Sequence, residues 1–162
     1  MSMQNLTIRI DFDRFPREHT CDGEDLSPWI EIIGSDAPYL AVIMDDPDAP
    51  RGTFTHWFAW NIPSTGEISR GIPPEPRTSH PIPAVQGMND FRRIGYSGPC
   101  PPEGTVHRFF IRVWDVGRKL DLPPGAARRE LEEALSSAAT GYGETTAVYG
   151  REAVLKAPPG SR

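Results

Sequence analysis

The segment Asp46-Pro47-Asp48-Ala49-Pro50 lies between two apolar runs, Tyr39 to Met44 before it and Trp57 to Ile62 after it, and this layout restricts the chain more than any other feature. Two prolines fix φ within five residues, and aspartates at such positions bond their own backbone, so the chain must turn here. Short apolar runs bounded by turn signals read as buried strands. The frame is therefore strand, loop, strand, with carboxylates and the His56 imidazole presented at one rim.

At 162 residues and 38% apolar content the chain is expected to form a single compact domain over residues 1–162 with its own core. A net charge of -5 with acids and bases interleaved argues against non-specific binding to nucleic acid or to an anionic membrane, so any anion site must be local. No apolar run approaches a membrane span, which excludes integral membrane contact as an expectation, and Met1 to Ile10 lacks the pattern of a leader. The cytoplasm is the expected compartment. Cys21 and Cys100 are too few for a disulfide scaffold and leave two readings open, free thiols in a reducing compartment or one pair.

Along the chain, Leu6 to Phe12 alternates like a half-buried strand, Phe15 to Trp29 reads as a loop, and Ile30 to Ile32 as a short strand. Thr55 to Ile62 is β-branched and aromatic enough for a strand buried on both faces. Strict alternation there puts His56, Phe58 and Trp60 on one side and Trp57, Ala59 and Asn61 on the other. Half of the 18 prolines fall between Pro63 and Pro102, which predicts an ordered functional loop without regular structure. It ends in Gly95-Tyr96-Ser97-Gly98-Pro99-Cys100-Pro101-Pro102-Glu103-Gly104, where a cis X-Pro bond is a candidate. Val106 to Trp114 comes next as a strand with His107, Phe109, Ile111 and Val113 on one face. A helix is expected over Ala126 to Ala138 with Leu131 and Leu135 one turn apart, then a strand over Thr145 to Tyr149 and a tail over residues 155–162. Many strands and one late helix define a mostly-β fold.

His56 comes after the Asp-Pro loop as His107 comes after the Gly-Pro loop. If these imidazoles converge with Asp46, the pocket suits a phosphate ester or a carboxylate, held by imidazolium donors and loop amides. Asp46 would repel a dianion, so its expected work is to fix a histidine tautomer or raise its pKa. Phosphate affinity should then grow as pH falls through the histidine range. Each feature also has a plain structural reading: a rigid turn, a core histidine at His56, an Arg108–Asp48 ion pair, and core aromatics at Trp57, Trp60, Phe109, Phe110 and Trp114. His19 and His80 receive no role. The rival chemistry is a metal-assisted hydrolase with Asp46, His56 and His107 as ligands, although the short spacing of two histidines is missing. Cys100 paired with His56 or His107 as nucleophile and base is weaker, because nothing nearby activates the thiol. Phosphate-loop, dinucleotide and Gly-x-Ser-x-Gly signatures are missing, and no cofactor is expected.

Two separated motifs, Asp46 to Pro50 with His56-Trp57, and Gly95 to Gly104 with His107-Arg108, resemble the phosphatidylethanolamine-binding protein family in its bacterial and archaeal branch of Raf-kinase-inhibitor-like proteins. Thr20-Cys21-Asp22-Gly23, Leu26-Ser27-Pro28 and Leu122-Pro123-Pro124-Gly125 extend the likeness over most of the chain. The resemblance implies a β-sandwich of two sheets with one or two peripheral helices. It also implies a pocket lined by Asp46, His56 and His107, with Pro50, Gly98 and Pro99 as walls and Phe109 where the family commonly has Tyr. It implies a non-enzymatic binder of phospholipid head groups or other phosphate compounds that modulates a kinase or inhibits a serine protease, with a homodimer as the expected assembly. A Cys21–Cys100 pair is also implied. The family's animal members carry a C-terminal helix beside the pocket, whereas the Pro158-Pro159-Gly160 ending implies a more open site.

Overall fold

The computed structural model describes residues 3–152, so the expected tail over residues 155–162 lies outside the described residues. In chain order the strands are β1 (Gln4–Asn5), β2 (Thr7–Arg9), β3 (Ile30–Ile33), β4 (Tyr39–Asp46), β5 (Phe54–Pro63), β6 (Glu67–Ile68), β7 (Arg77–Thr78), β8 (Ala84–Gln86), β9 (Val106–Val116) and β10 (Ala139–Gly150). A 3-10 turn covers Arg17–His19, and one helix, α1 (Arg128–Ala138), precedes β10. A seven-stranded sheet runs β1-β10-β9-β4-β5-β8-β7, and a three-stranded sheet runs β2-β3-β6. The fold is mostly β, as the sequence implies.

β4 explains the layering. All of its residues after Tyr39 are buried, because both faces are covered. Val42 and Met44 join a core with Ile8, Ile30, Ile32 and Ile68 of the small sheet, while Ala41 and Ile43 join a second core with Leu131 and Leu135 of α1. A continuous apolar run, rather than an alternating one, is what a strand between two layers requires. The helix closes the outer face with Leu131 and Leu135, each buried side chain contributing about 1.5–3 kcal/mol. Its first turn is held by Glu130, whose carboxylate accepts the Ala127 N–H at 3.0 Å.

Several expected elements shift. The expected Leu6–Phe12 strand shortens to β2, which pairs with β3 in the small sheet, while Ile10 and Phe12 pack on the core without strand pairing; just before it, β1 pairs in parallel with β10 in the large sheet. The crossing is possible because β10 carries Gly143, where a Cβ would stand 2.3 Å from the Leu6 carbonyl oxygen. That close approach also explains why β10 starts at Ala139 instead of Thr145: its glycines are places where another backbone passes. Between Pro63 and Pro102 the structure contains β6, β7 and β8, and the buried Gln86 organises the proline-rich loop, donating to the Pro73 and Glu75 carbonyls and accepting from Trp57 Nε1. The cis peptide is His80–Pro81, outside the Gly95–Gly104 motif.

Strict alternation along β5 does not hold. Met44 pairs with Trp57 and Asp45 with Thr55, so His56 is an extra, bulged residue; a second irregularity lies between Leu40 and Val42, opposite the Trp60–Asn61 region. A bulge redirects the side chains beyond it. Phe58 and Trp60 stay on the helix side, but His56 turns toward Phe109 on the opposite layer, at 5.4 Å between rings.

Candidate functional site

Asp46 ends β4 and bends the chain with its own side chain, Oδ1 accepting the Asp48 N–H at 2.8 Å. Asp48 then ties the loop to the start of β9: its carboxylate accepts from Arg108 Nε at 3.0 Å, Arg108 Nη2 at 2.8 Å and the Arg108 backbone N–H at 2.9 Å. The Arg108 side chain, foremost, holds the Asp48 carboxyl down at about 2. The expected Arg108–Asp48 pair is thus present, and it sets His107 beside Asp46. His107 Nδ1 lies 2.6 Å from Asp46 Oδ2, with both side chains buried. A carboxylate can only accept, so Nδ1 carries the proton and Nε2 is the ring nitrogen left for a guest.

His56 reaches the same place from β5. Its Nδ1 lies 2.7 Å from the Ser97 carbonyl oxygen, while the Ser97 N–H donates to the His56 carbonyl at 3.1 Å. Its tautomer is therefore fixed in the same sense, by a carbonyl rather than by Asp46. Burial lowers the His56 pKa, and the Ser97 carbonyl with the Asp46 and Asp25 carboxylates offsets this only in part. In the ligand-free site burial thus favours the neutral His56 ring.

A cavity of about 130 Å³ opens between these rings, lined by Asp46, Ala49, Pro50, Phe54, His56, Phe91, Cys100, Pro101, Pro102 and His107. Of the residues singled out in the sequence, Asp46, Pro50, His56 and His107 meet there. Gly98 and Pro99 lie behind the lining, with Cys100, Pro101 and Pro102 forming that wall. Phe109 is fully buried beneath both imidazoles, its ring centroid 5.4 Å from His56 and 6.4 Å from His107. Phe54 and Phe91, packed edge to face at 4.7 Å, form an aromatic side that pattern reading missed.

The Gly-Pro wall is fixed from the 16–28 loop. Cys21 and Cys100 form a disulfide with S–S 2.04 Å, the Cys21 N–H donates to the Pro99 carbonyl at 3.2 Å, and Tyr96 Oη donates to the His19 carbonyl at 2.6 Å. Asp25 accepts the Gly98 N–H at 2.8 Å, and its carboxyl is raised by burial despite that bond. At Gly98 a Cβ would stand 2.0 Å from the His19 carbonyl oxygen, so only glycine allows this contact. His19, given no role above, is buried with Nδ1 2.7 Å from the Leu26 carbonyl and supports the wall; His80 is exposed. Asn89 fixes the opposite rim, donating to Gly95 O and Ser97 Oγ and accepting the Phe91 and Arg93 N–H groups. Asp25 was missed because nothing in the sequence ties it to Gly98, 73 residues away, and Asn89 because its partners are backbone groups and a hydroxyl of its own loop, which carry no motif.

The same geometry bears on the rival chemistries. The disulfide removes Cys100 as a nucleophile. Both Asp46 oxygens are engaged, by Asp48 and His107, and among the described residues no group of three His, Cys, Asp or Glu side chains is arranged to hold a metal ion. No helix of the described residues is long and apolar enough to cross a membrane.

A two-sheet β fold with an acid and two imidazoles gathered between the end of one strand and the starts of two others defines a known class. The chain belongs to the phosphatidylethanolamine-binding protein family, whose profile matches residues 9–150. It is 44% identical over 155 residues to the UPF0098 protein PH1269 of Pyrococcus horikoshii, covering 94% of this chain and 78% of that protein. It is 43% identical over 146 residues to a UPF0098 protein of Methanothermobacter thermautotrophicus, covering 87% of this chain and 93% of that protein. Among solved structures, Escherichia coli YbcL, described as a member of the mammalian PEBP family, superposes with a TM-score of 0.80 at 26% identity, covering 91% of this chain and 99% of that one.

Proposed function

We propose that this protein is a non-enzymatic binder of phosphate-type anions, a phospholipid head group or a phosphorylated small molecule or protein, and that it modulates a kinase or inhibits a serine protease through that site. The observation that carries the reading is the paired tautomer control: His107 on Asp46 and His56 on Ser97, each with Nδ1 engaged, leave two Nε2 positions for the 130 Å³ cavity. Protonated on binding, the two rings give charge-assisted bonds to oxyanion oxygens, and the surrounding prolines and phenylalanines exclude water that would weaken them. The oxidised Cys100 is not free to act as a nucleophile, which supports binding over thiol chemistry at this site. Cytoplasmic residence and a homodimer belong to the same reading; an exposed disulfide suits an oxidising compartment or the cytoplasm of a hyperthermophile.

Thermal unfolding with inorganic phosphate tests it. At a phosphate concentration one hundred times the dissociation constant, binding stabilises by about 2.7 kcal/mol, roughly 5–10 °C for a domain of this size. His107→Ala is expected to lose that protection. Equal protection in wild type and variant, or none in wild type, refutes the proposal.

A further inference from the structure

The 130 Å³ cavity is smaller than the roughly 300–1,000 Å³ of ordinary ligand sites, so it takes the anionic head of a guest and little more. The rest of the guest must leave by the mouth. There a second depression of about 590 Å³ begins, sharing Ala49, Pro50 and Phe54 with the first and lined further by Arg51, Gly52, Thr53, Asn89, Asp90 and Arg92. Together the two reach the size of a metabolite site.

The charge of this groove runs against that of the molecule. In a chain of net charge -5, Arg51 and Arg92 line it against the single carboxylate of Asp90, and that carboxylate already accepts the Thr55 N–H at 2.7 Å. Among the described residues neither arginine takes part in an ion pair, whereas Arg108, Arg112 and Arg128 all do. Arg92 is also set by an unusual backbone. Its φ of 63° is left-handed for a side chain with a Cβ, and the turn that imposes it is held by Asn89, whose carbonyl oxygen accepts the Arg92 N–H at 2.9 Å. Such a conformation persists only where its surroundings determine it. The same turn leaves Phe91 exposed at the mouth, against Phe54.

Resting on the phosphate-site reading above, we infer that the groove is a second subsite and that the ligand is a phosphomonoester whose organic part crosses Phe54 and Phe91 and ends in a second anionic group held by Arg51 and Arg92. An apolar or aromatic spacer suits the phenylalanine edge, and unpaired guanidiniums suit a carboxylate or a second phosphate bidentately.

A matched pair of probes tests this: phenyl phosphate and 4-carboxyphenyl phosphate, titrated calorimetrically at low salt beside inorganic phosphate. The carboxylated probe is expected to bind about three- to tenfold more tightly than phenyl phosphate, as one or two partly exposed ion pairs allow. R51A/R92A should erase that difference and leave inorganic phosphate affinity within twofold, since both side chains are exposed and unbonded. Equal affinity for the two probes in wild type, or a preference that survives R51A/R92A, overturns the subsite while phosphate binding stands. No binding of inorganic phosphate by wild type overturns both readings together.

Discussion

The Cys21–Cys100 disulfide closes a loop with a sequence separation of 79 and fastens the Gly98–Pro102 wall to the 16–28 loop. Both cysteines are exposed, so tris(carboxyethyl)phosphine should reduce the bond without prior unfolding. In the chain-entropy treatment, opening a loop of this length costs about 4.5 kcal/mol, against roughly 2–4 kcal/mol typical of native disulfides. For a domain of this size each kcal/mol shifts Tm by about 2–4 °C, so reduction should lower Tm by roughly 5–15 °C. The structure adds a second effect. The wall it releases still has the Asp25–Gly98 and Tyr96–His19 hydrogen bonds, so the native fold persists, but Cys100 lines the pocket and phosphate affinity should fall with the bond. The assay is calorimetric unfolding of oxidised protein, reduced protein and the C21S/C100S variant, with free thiols counted by mass, and then phosphate titration of each at 25 °C. A Tm change under about 2 °C in fully reduced protein would mean that the unfolded chain is already constrained or that the wall holds without the bond, and the reasoning fails.

Acidification should move stability and affinity in opposite directions. His56 has a folded pKa below its unfolded value, so between the two the unfolded chain binds more protons, and ligand-free stability falls as pH drops below about 6.5. An anion on Nε2 restores the proton, so affinity for sulfate, a dianion throughout this range, should increase by up to about tenfold per pH unit; affinity unchanged from pH 7.5 to 5 would count against the two-imidazole site. Gly98→Ala should lower Tm by roughly 6–12 °C and abolish phosphate protection, because its Cβ would stand 2.0 Å from the rigid His19 carbonyl. Gly117→Ala, whose Cβ finds its nearest neighbour at 3.7 Å, serves as control and should shift Tm by no more than about 2 °C, and equal effects of the two substitutions would contradict the packing argument.

The range of a signal decides whether the sequence discloses it. Short-range patterns survived: the apolar runs became β4 and β5, and the alternation of β9 put Phe109, Ile111 and Val113 in one core and Trp114 beside the other. Asp46, His56 and His107 met because the end of β4 lies beside both the start of β5 and the start of β9, a pairing that the two apolar runs and the strand after the proline loop already suggested. Signals that depend on a passing partner were lost. Gly141 and Gly143 look like strand breakers until the β1–β2 crossing is seen beside them, and Asp25 is one more loop acid until Gly98, 73 residues away, offers it an N–H.

The bulge at His56 shows how one such loss reaches the chemistry. Counting by twos places His56 with Phe58 and Trp60, under α1, where an imidazole would face Leu131 and Leu135 far from any anion. The extra residue between the Met44–Trp57 and Asp45–Thr55 pairs breaks that count by one and brings the ring to the layer of His107. Thr55, one residue earlier, stays on the helix side, where its hydroxyl accepts from Arg128 at 3.0 Å, which fixes the irregularity from behind. The Ser97 backbone fixes it from the front with two hydrogen bonds. A bulge costs ladder pairing, and here that loss is offset by the Ser97 clamp and by ring contacts with Phe54, Phe91 and Phe109. The anion pocket therefore depends on the Gly95–Gly104 segment twice: it supplies the Cys100–Pro102 wall, and its Ser97 holds the β5 irregularity that delivers the second imidazole.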